Sequence, residues 1–290
     1  MIIKLENDLL SIGISPNLGA SVLFFRYKGK DIFQPASEKI SSAHQTALFA
    51  MLPYCGHITE GKFTYFGITR QIISNTKDCS CIDGDGWQHS WKAEQISQES
   101  ATLLYEHDKS AGGFPFNYLA RITYTLKGNQ LHISLSIKNP GKLPLPCGMG
   151  IHPVFTRKSE AKLYFKSSHI WYHENTPIFD RPYETPKEWN FQNGKSVTEK
   201  FDTCFGGWDG QATIEYPDDL KIQITAPDIF HHLFLSTKTT DADCFCLAPA
   251  SNTPDAFNLA SQGVINTGIQ SVGPEQILTK DLIISVESNK

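Results

Sequence analysis

Apolar and polar residues alternate along several stretches of the chain, and this two-residue period is typical of half-buried β-strands. The clearest stretch covers residues 131–138, where leucine or isoleucine occupies every second position. Alternation or a short apolar run also predicts strands at residues 7–15, 20–27, 101–107, 118–126, 212–216, 220–225, 231–236, 244–247 and 281–286. No stretch shows a long amphipathic helical pattern.

Turn residues separate these predicted strands at short intervals. Residues 127–130, Lys-Gly-Asn-Gln, are a typical hairpin connection, and residues 16–19 hold a proline and a glycine. Many strands joined in this way predict an all-β fold, a large antiparallel β-sandwich. Because such folds often exceed 200 residues as one unit, we expect residues 1–290 to form a single domain. In this interpretation residues 173–200 form a long surface excursion, a segment without regular structure that leaves the sheets. Loops of this length sometimes cover a site.

Composition and charge argue against several classes of partner. The chain is 40% hydrophobic and 19% charged, which is ordinary for a globular protein with a substantial core. A net charge of −4 gives no basic footprint, so we expect no nucleic-acid partner. No apolar run approaches the roughly 18 residues that span a bilayer, so we expect no membrane association. The first residues lack a signal-peptide pattern, which favours a cytoplasmic location.

The cysteines raise the question of a metal site. There are seven, an odd number, and without an export signal reduced thiols are the expectation. Cys79 and Cys81, and likewise Cys244 and Cys246, have C-x-C spacing. Within a strand, this spacing places both thiols on one face simply through the two-residue period. We therefore expect no metal at these cysteines.

A histidine follows the most regular strands, within residues 147–155, Cys-Gly-Met-Gly-Ile-His-Pro-Val-Phe. Pro153 biases His152 toward extended geometry, and Gly148 and Gly150 permit close approach of other backbone. A lone histidine in such a place is either a core residue of a strand or a functional group. Polar residues near this histidine would favour the functional group over the core residue.

Two other stretches supply such polar residues. The loop at residues 51–63 carries His57 near Tyr54, as the wall of a pocket or as an ordinary surface loop. Residues 82–91 hold two aspartates and two tryptophans, including Asp83 and Trp87. The further oxygen ligands of an EF-hand calcium loop are missing. Two interpretations of the stretch remain. It is either a tight turn or a set of polar groups beside an aromatic platform that suits a carbohydrate.

Taken together, these blocks resemble the aldose 1-epimerase (galactose mutarotase-like) family along nearly the whole chain. The resemblance lies in the order and spacing of residues 53–63, 83–87, 114–118, 152–155, 201–210, 249–258 and 273–275. It implies a β-supersandwich with a sugar pocket on its concave face. It also implies interconversion of the α and β anomers of a free aldose, a small-molecule carbohydrate, without a cofactor.

The resemblance also implies roles for individual residues. Opening a hemiacetal ring requires a base for the anomeric hydroxyl and an acid for the ring oxygen. His152 matches the family's general acid, Glu275 its general base and Asp202 its substrate-binding aspartate. The further residues that we expect to contact the sugar are His57, Asp83, Trp87, Trp208 and Asn252, with the two tryptophans as stacking surfaces.

Several positions depart from the family pattern. His57 stands where an arginine is common, Asp83 where a histidine is common, and Ala248 where many relatives have a glutamate. Each lost donor would cost roughly 1–3 kcal/mol of binding or transition-state stabilisation, and a His57–Asp83 pair would partly restore it. Two alternatives therefore stay open. One is a non-catalytic carbohydrate-binding or sensing protein. The other is an epimerase for a phosphorylated or otherwise modified sugar, which the few arginines disfavour.

Overall fold

A computed structural model of the chain describes residues 1–75, 81–158, 160–171, 181–226, 228–237 and 243–288. Strands are the main regular structure of these residues, and the first twelve are β1 Ile3–Glu6, β2 Leu10–Ser15, β3 Ser21–Tyr27, β4 Lys30–Asp31, β5 Leu48–Met51, β6 His57–Ile58, β7 Lys62–Tyr65, β8 Ile68–Gln71, β9 Cys81–Ile82, β10 Lys92–Ile96, β11 Ser100–His107 and β12 Tyr118–Lys127. The remaining strands are β13 Gln130–Lys138, β14 Leu145–Cys147, β15 Gly150–Thr156, β16 Lys162–Phe165, β17 His169–Trp171, β18 Asp202–Gly206, β19 Gln211–Glu215, β20 Leu220–Thr225, β21 His232–Ser236, β22 Cys244–Ala250, β23 Gln270–Val272 and β24 Ile277–Ser288. One short α-helix, α1, spans Ala256–Ser261.

Two large antiparallel sheets contain most of these strands. The first sheet has ten strands in the order β1-β2-β3-β5-β15-β22-β21-β18-β17, with β4 paired to β3. The second has eight strands in the order β10-β11-β12-β13-β24-β20-β19-β16. A bond from the Tyr124 hydroxyl to the Ala20 carbonyl (2.9 Å) joins the second sheet to the chain beside β3. The predicted antiparallel β-sandwich is confirmed.

The core lies between the two sheets. In β13, Leu131, Ile133, Leu135 and Ile137 are fully buried, while the intervening side chains are only partly buried. One hydrophobic cluster includes inward-facing residues of both sheets, from Ile3 near the start of the chain to Val286 near its end. Alternation at the two-residue period therefore marks the buried face, as the sequence predicted.

The predicted strands and turns match the structure closely. The hairpin at residues 127–130 joins β12 to β13, with Lys127 paired to Gln130. Part of the predicted excursion, residues 173–180, lies outside the described residues. Its described remainder runs along the edges of both sheets, where Phe191 packs against Phe165 and Phe205. No helix in the described ranges is long and apolar enough to cross a membrane.

A buried aspartate fixes the loop between β9 and β10 to the second sheet. Asp85, 4% exposed, accepts hydrogen bonds from the Phe114 N–H (3.0 Å) and from the Tyr118 hydroxyl. The Nδ1 atom of His107 lies 3.2 Å from the same carboxylate. Since buried polar groups are costly when they lack partners, these contacts hold the loop in one place.

We expect Asp85→Ala to destabilise the protein strongly, because the buried Phe114 N–H and Tyr118 hydroxyl lose the carboxylate that accepts their hydrogen bonds. The loss in free energy of unfolding should be roughly 3–5 kcal/mol, measured by chemical denaturation. Asp31→Ala is the matched control, since Asp31 makes an exposed pair with Arg26 and should contribute less than about 1 kcal/mol. A similar small effect for both variants would contradict the anchoring role of Asp85.

Candidate functional site

His152 lies on the face of the first sheet that points away from the second sheet. Its neighbour Ile151 points into the main core, so the alternation of β15 directs His152 to the opposite side. We call this side the outer face. It carries a second cluster of buried residues, namely Ala43, Phe49, Met51, Cys55, Trp87, Cys246, Ala248 and Ala250. A histidine on this face is therefore covered by loops rather than by the second sheet.

The register of the strands determines what lies beside His152. Phe49 of β5 is its partner on one side. On the other side, Gly150 pairs with Ala250, and the antiparallel register places Ala248 opposite His152. An alanine methyl group offers no proton donor or acceptor. Any partner for the imidazole must therefore come from elsewhere.

The His152 ring is half-buried and stacks on Phe49, with ring centroids 4.6 Å apart. Its Nδ1 atom is buried and has no hydrogen-bond partner among the described residues. Burial, followed by the effect of nearby His44, lowers the pKa of His152 to about 3. The imidazole is therefore neutral near pH 7, with one ring nitrogen free to accept a proton.

His44 and Trp87 form an aromatic wall beside His152. The His44 ring lies 4.2 Å from Trp87 and 6.5 Å from His152, centroid to centroid. Trp87 is 7% exposed, and its Nε1 donates to the Gly84 carbonyl (3.1 Å). A cleft of about 560 Å³ opens here and is lined by Leu18, Ser41, Ser42, Ala43, His44, Ser74, Asn75, Trp87 and Gln88. Hydroxyl and amide groups beside an aromatic ring suit a small polar ligand.

Asp83 is held by two hydrogen bonds to Gly56, which follows Cys55 of the same cluster. Its Oδ1 accepts from the Gly56 N–H (2.7 Å), while its own N–H donates to the Gly56 carbonyl (2.9 Å). Its backbone is left-handed, with φ of 57°, a conformation that costs energy in a residue other than glycine. Burial raises the pKa of the Asp83 carboxyl to about 6, although the Gly56 bond opposes the rise.

Close backbone approach at the two glycines before His152 is confirmed. A Cβ on Gly148 would lie 1.9 Å from the Asn252 Oδ1 atom, and one on Gly150 would lie 2.9 Å from the Cys55 Sγ atom. Asn252, 2% exposed, accepts from the Cys55 N–H (3.1 Å) and donates to the Cys55 carbonyl (2.8 Å). Asn252 thus holds the loop at residues 53–57 over the sheet, and its amide is occupied by protein groups.

Two predicted sugar contacts lie farther along the site. Asp202 begins β18, pairs in register with Ser236 and is half-buried. His57 lies on β6, paired with Ile82, and its carbonyl accepts from the Asp255 N–H (2.7 Å). No ion pair between His57 and Asp83 is present among the described contacts. The expected compensation between these two side chains is therefore not formed.

Two other predicted residues are not brought to His152. Glu275 precedes β24 of the second sheet, its side chain is 69% exposed, and its carboxylate pairs with Lys138 at 2.8 Å. Trp208 is 1% exposed in the main core, where its Nε1 donates to the Gln211 carbonyl (2.8 Å). Trp208 therefore presents no ring face for stacking.

His44 was not predicted from the sequence. It lies in a short 3₁₀ turn, Ala43–Gln45, within a stretch that has weak periodicity and no recognisable motif. Only the packing of that turn against Trp87 and Phe49 brings the ring to the site. Residue type and spacing contained no signal for it.

Burial of neutral histidines makes stability depend on pH. The pKa of His152 falls to about 3 and that of His232 to about 4, mainly because both rings are buried. The unfolded chain, with histidine pKa near 6.5, therefore binds more protons than the folded chain below pH 6.5. Stability is fully present above that pH and falls as the pH drops toward these lower values. Asp83 has the opposite effect between its ordinary pKa and about pH 6, because the folded chain holds the proton of this carboxyl there and the unfolded chain does not.

We expect His152→Phe to flatten this dependence, because phenylalanine cannot bind a proton in the unfolded state. The loss of unfolding free energy between about pH 7 and pH 4.5 should shrink by roughly 2 kcal/mol relative to the unsubstituted protein. Urea denaturation at both pH values measures it. Equal losses in the two proteins would show that His152 is not buried as a neutral ring.

Comparison with known proteins identifies the family and the fold of this chain. The family model for aldose 1-epimerase matches residues 1–263. YphB of Escherichia coli K12, an uncharacterized protein, is 26% identical over 307 residues, covering 99% of each chain. YihR of the same organism, also uncharacterized, is 22% identical over 257 residues and covers 83% of this chain and 81% of its own.

Solved structures show the same architecture. A crystal structure from Escherichia coli K12 superposes with a TM-score of 0.88 at 24% identity and covers 99% of each chain. A GalM/aldose epimerase homologue from C. elegans superposes with a TM-score of 0.84 at 14% identity, covering 100% of this chain and 99% of its own. The match of the family model over most of the sequence shows the relationship, and the chain belongs to the aldose 1-epimerase family.

Proposed function

We propose that the protein interconverts the α and β anomers of a free aldose by acid–base ring opening. The observation that carries this proposal is the neutral imidazole of His152, held on Phe49 with an unpaired ring nitrogen. Unpaired buried polar atoms are uncommon in proteins and often mark a place where a ligand supplies the missing partner. Membership of the aldose 1-epimerase family supports a sugar as that ligand.

The chemistry needs two proton-transfer groups and no cofactor. One group removes the proton of the anomeric hydroxyl while another protonates the ring oxygen, so that the ring opens to the aldehyde. Rotation about the first carbon–carbon bond and reclosure then give the other anomer. In this proposal His152 supplies one of these groups, and Asp202, at the start of β18 in the first sheet, accepts hydrogen bonds from hydroxyls of the sugar.

A specific observation favours the alternative of a sugar-binding protein without catalysis. Ala248, opposite His152, has no functional group, and Glu275 lies on the second sheet beside Lys138. A protein of this kind would bind a sugar saturably without accelerating anomer exchange. A phosphorylated substrate has less support, since no lysine or arginine among the described residues lines the cleft beside Trp87.

We expect the purified protein to accelerate anomer exchange of at least one free aldose, and His152→Ala to lower the rate by about 100-fold or more. Exchange spectroscopy by NMR on a panel of aldoses measures both. His132→Ala is the matched control, because His132 is a partly buried histidine of the second sheet that bonds to Gln130. Saturable binding with no acceleration for any aldose would establish the binding-protein alternative instead.

The base role that the resemblance implies for Glu275 is tested separately. From its exposure and its pairing with Lys138, we expect Glu275→Gln to keep the exchange rate within about twofold of the unsubstituted protein. The measurement is the same NMR exchange rate at saturating sugar. A loss as large as that of His152→Ala would show that Glu275 does reach the substrate.

A further inference from the structure

The cleft beside Trp87 offers a ligand uncharged polar groups next to an aromatic ring. Among the described residues, its lining contains hydroxyl, amide and imidazole side chains and no carboxylate, lysine or arginine. Its volume of about 560 Å³ lies in the usual range of small-molecule sites. A charged ligand would find no counter-charge on these side chains, whereas a neutral ligand rich in hydroxyl groups would find hydrogen-bonding partners.

A short turn places His44 at this cleft. The Thr46 hydroxyl donates to the Ala43 carbonyl (2.6 Å), and the Ser41 N–H donates to the Gln45 Oε1 atom (2.9 Å). Ala43 is 1% exposed and belongs to the buried cluster on the outer face. The turn therefore fixes the backbone of His44 before any ligand binds.

Aromatic contacts hold the exposed ring of His44. Its centroid lies 4.7 Å from that of Phe49 and 4.2 Å from that of Trp87, and both contacts are edge-on. Neither ring nitrogen forms a hydrogen bond within the described part of the chain. Since a neutral imidazole has one N–H donor and one acceptor nitrogen, His44 can bond to two hydroxyl groups of a ligand.

Asn75, another lining residue, differs from His44 in this respect. Its amide nitrogen donates to the carbonyls of Ile82 (2.8 Å) and Gly84 (2.6 Å), and its oxygen accepts from the Ile82 N–H (2.9 Å). These bonds fix the loop before Trp87. Asn75 therefore builds the wall of the cleft, whereas the nitrogen atoms of His44 are available to a ligand.

His44 also connects the cleft to His152. The centroids of the two imidazole rings lie 6.5 Å apart, and the rings are inclined at 75°. His152 is not one of the described residues that line the cleft. His44 therefore lies between the cleft and the imidazole that the proposed chemistry uses.

We propose that the cleft beside Trp87 is a binding site for an uncharged sugar and that His44 hydrogen-bonds to the hydroxyl groups of this sugar. The class of ligand rests on the anomer interconversion proposed above. The site itself rests on the uncharged lining and on the free nitrogen atoms of His44. His44 is a substrate-binding residue in this proposal, and no proton transfer is assigned to it.

The test compares His44→Phe with His44→Gln in the full-length protein. Phenylalanine keeps a ring against Phe49 and Trp87 and removes both nitrogen atoms, whereas glutamine keeps a donor and an acceptor and removes the ring. The probes are the methyl α- and β-glycosides of glucose and galactose, whose rings cannot open. NMR titration of ¹⁵N-labelled histidine measures their Kd and detects contact at the His44 ring. We expect His44→Phe to raise Kd by about tenfold and His44→Gln by about threefold or less.

His132→Phe is the matched control and should keep the Kd, because His132 lies on the second sheet and bonds to Gln130. Urea denaturation confirms that each variant is folded. For an aldose that the protein interconverts, His44→Phe should raise KM by a similar factor and leave kcat nearly unchanged.

The proposal is overturned if no methyl glycoside binds, or if binding leaves the signal of the His44 ring unchanged. It is also overturned if His44→Phe binds as tightly as the unsubstituted protein, which is the result expected from a role in packing alone. Binding that depends on His44, without exchange of any aldose, would support this site and overturn the proposed function. The two failures are therefore distinguishable.

Discussion

Burial of both faces of the first sheet is the constraint on which the site depends. The inner face packs on the second sheet, and loops cover much of the outer face, so polar groups placed there lose contact with water. A group without a counter-charge then adopts its neutral form. This single effect keeps the imidazole of His152 neutral and raises the pKa of the Asp83 carboxyl to about 6.

The covering loops are fixed by polar contacts. Asp85 ties one loop to the second sheet through Phe114 and Tyr118, and Asn252 clamps the other through Cys55. Gly56 then joins the two loops by its paired bonds with Asp83. Because each contact is buried, the two loops and the side chain of Asp83 are held in one arrangement.

The sequence predicted the fold far better than the site. Alternation located the strands because it reflects burial of every second residue, as in β13. The two glycines before His152 were also informative, because a Cβ atom at either position would collide with neighbouring groups. Other features of the site depend on which surfaces meet in space. These are the pairing of Glu275 with Lys138, the core position of Trp208 and the contact of His44 with Trp87. Local pattern contains no information on such encounters, and a resemblance transfers residue types without their surroundings.

The protonation states of His152 and Asp83 in the resting protein test the account most directly. NMR of ¹⁵N-labelled histidine and ¹³C-labelled aspartate across a pH titration measures them one residue at a time, which the rate alone does not. We expect a neutral His152 throughout the range above about pH 4 and an Asp83 carboxyl that loses its proton near pH 6. An imidazolium at His152 beside an ionised Asp83 at pH 5 to 6 would contradict it.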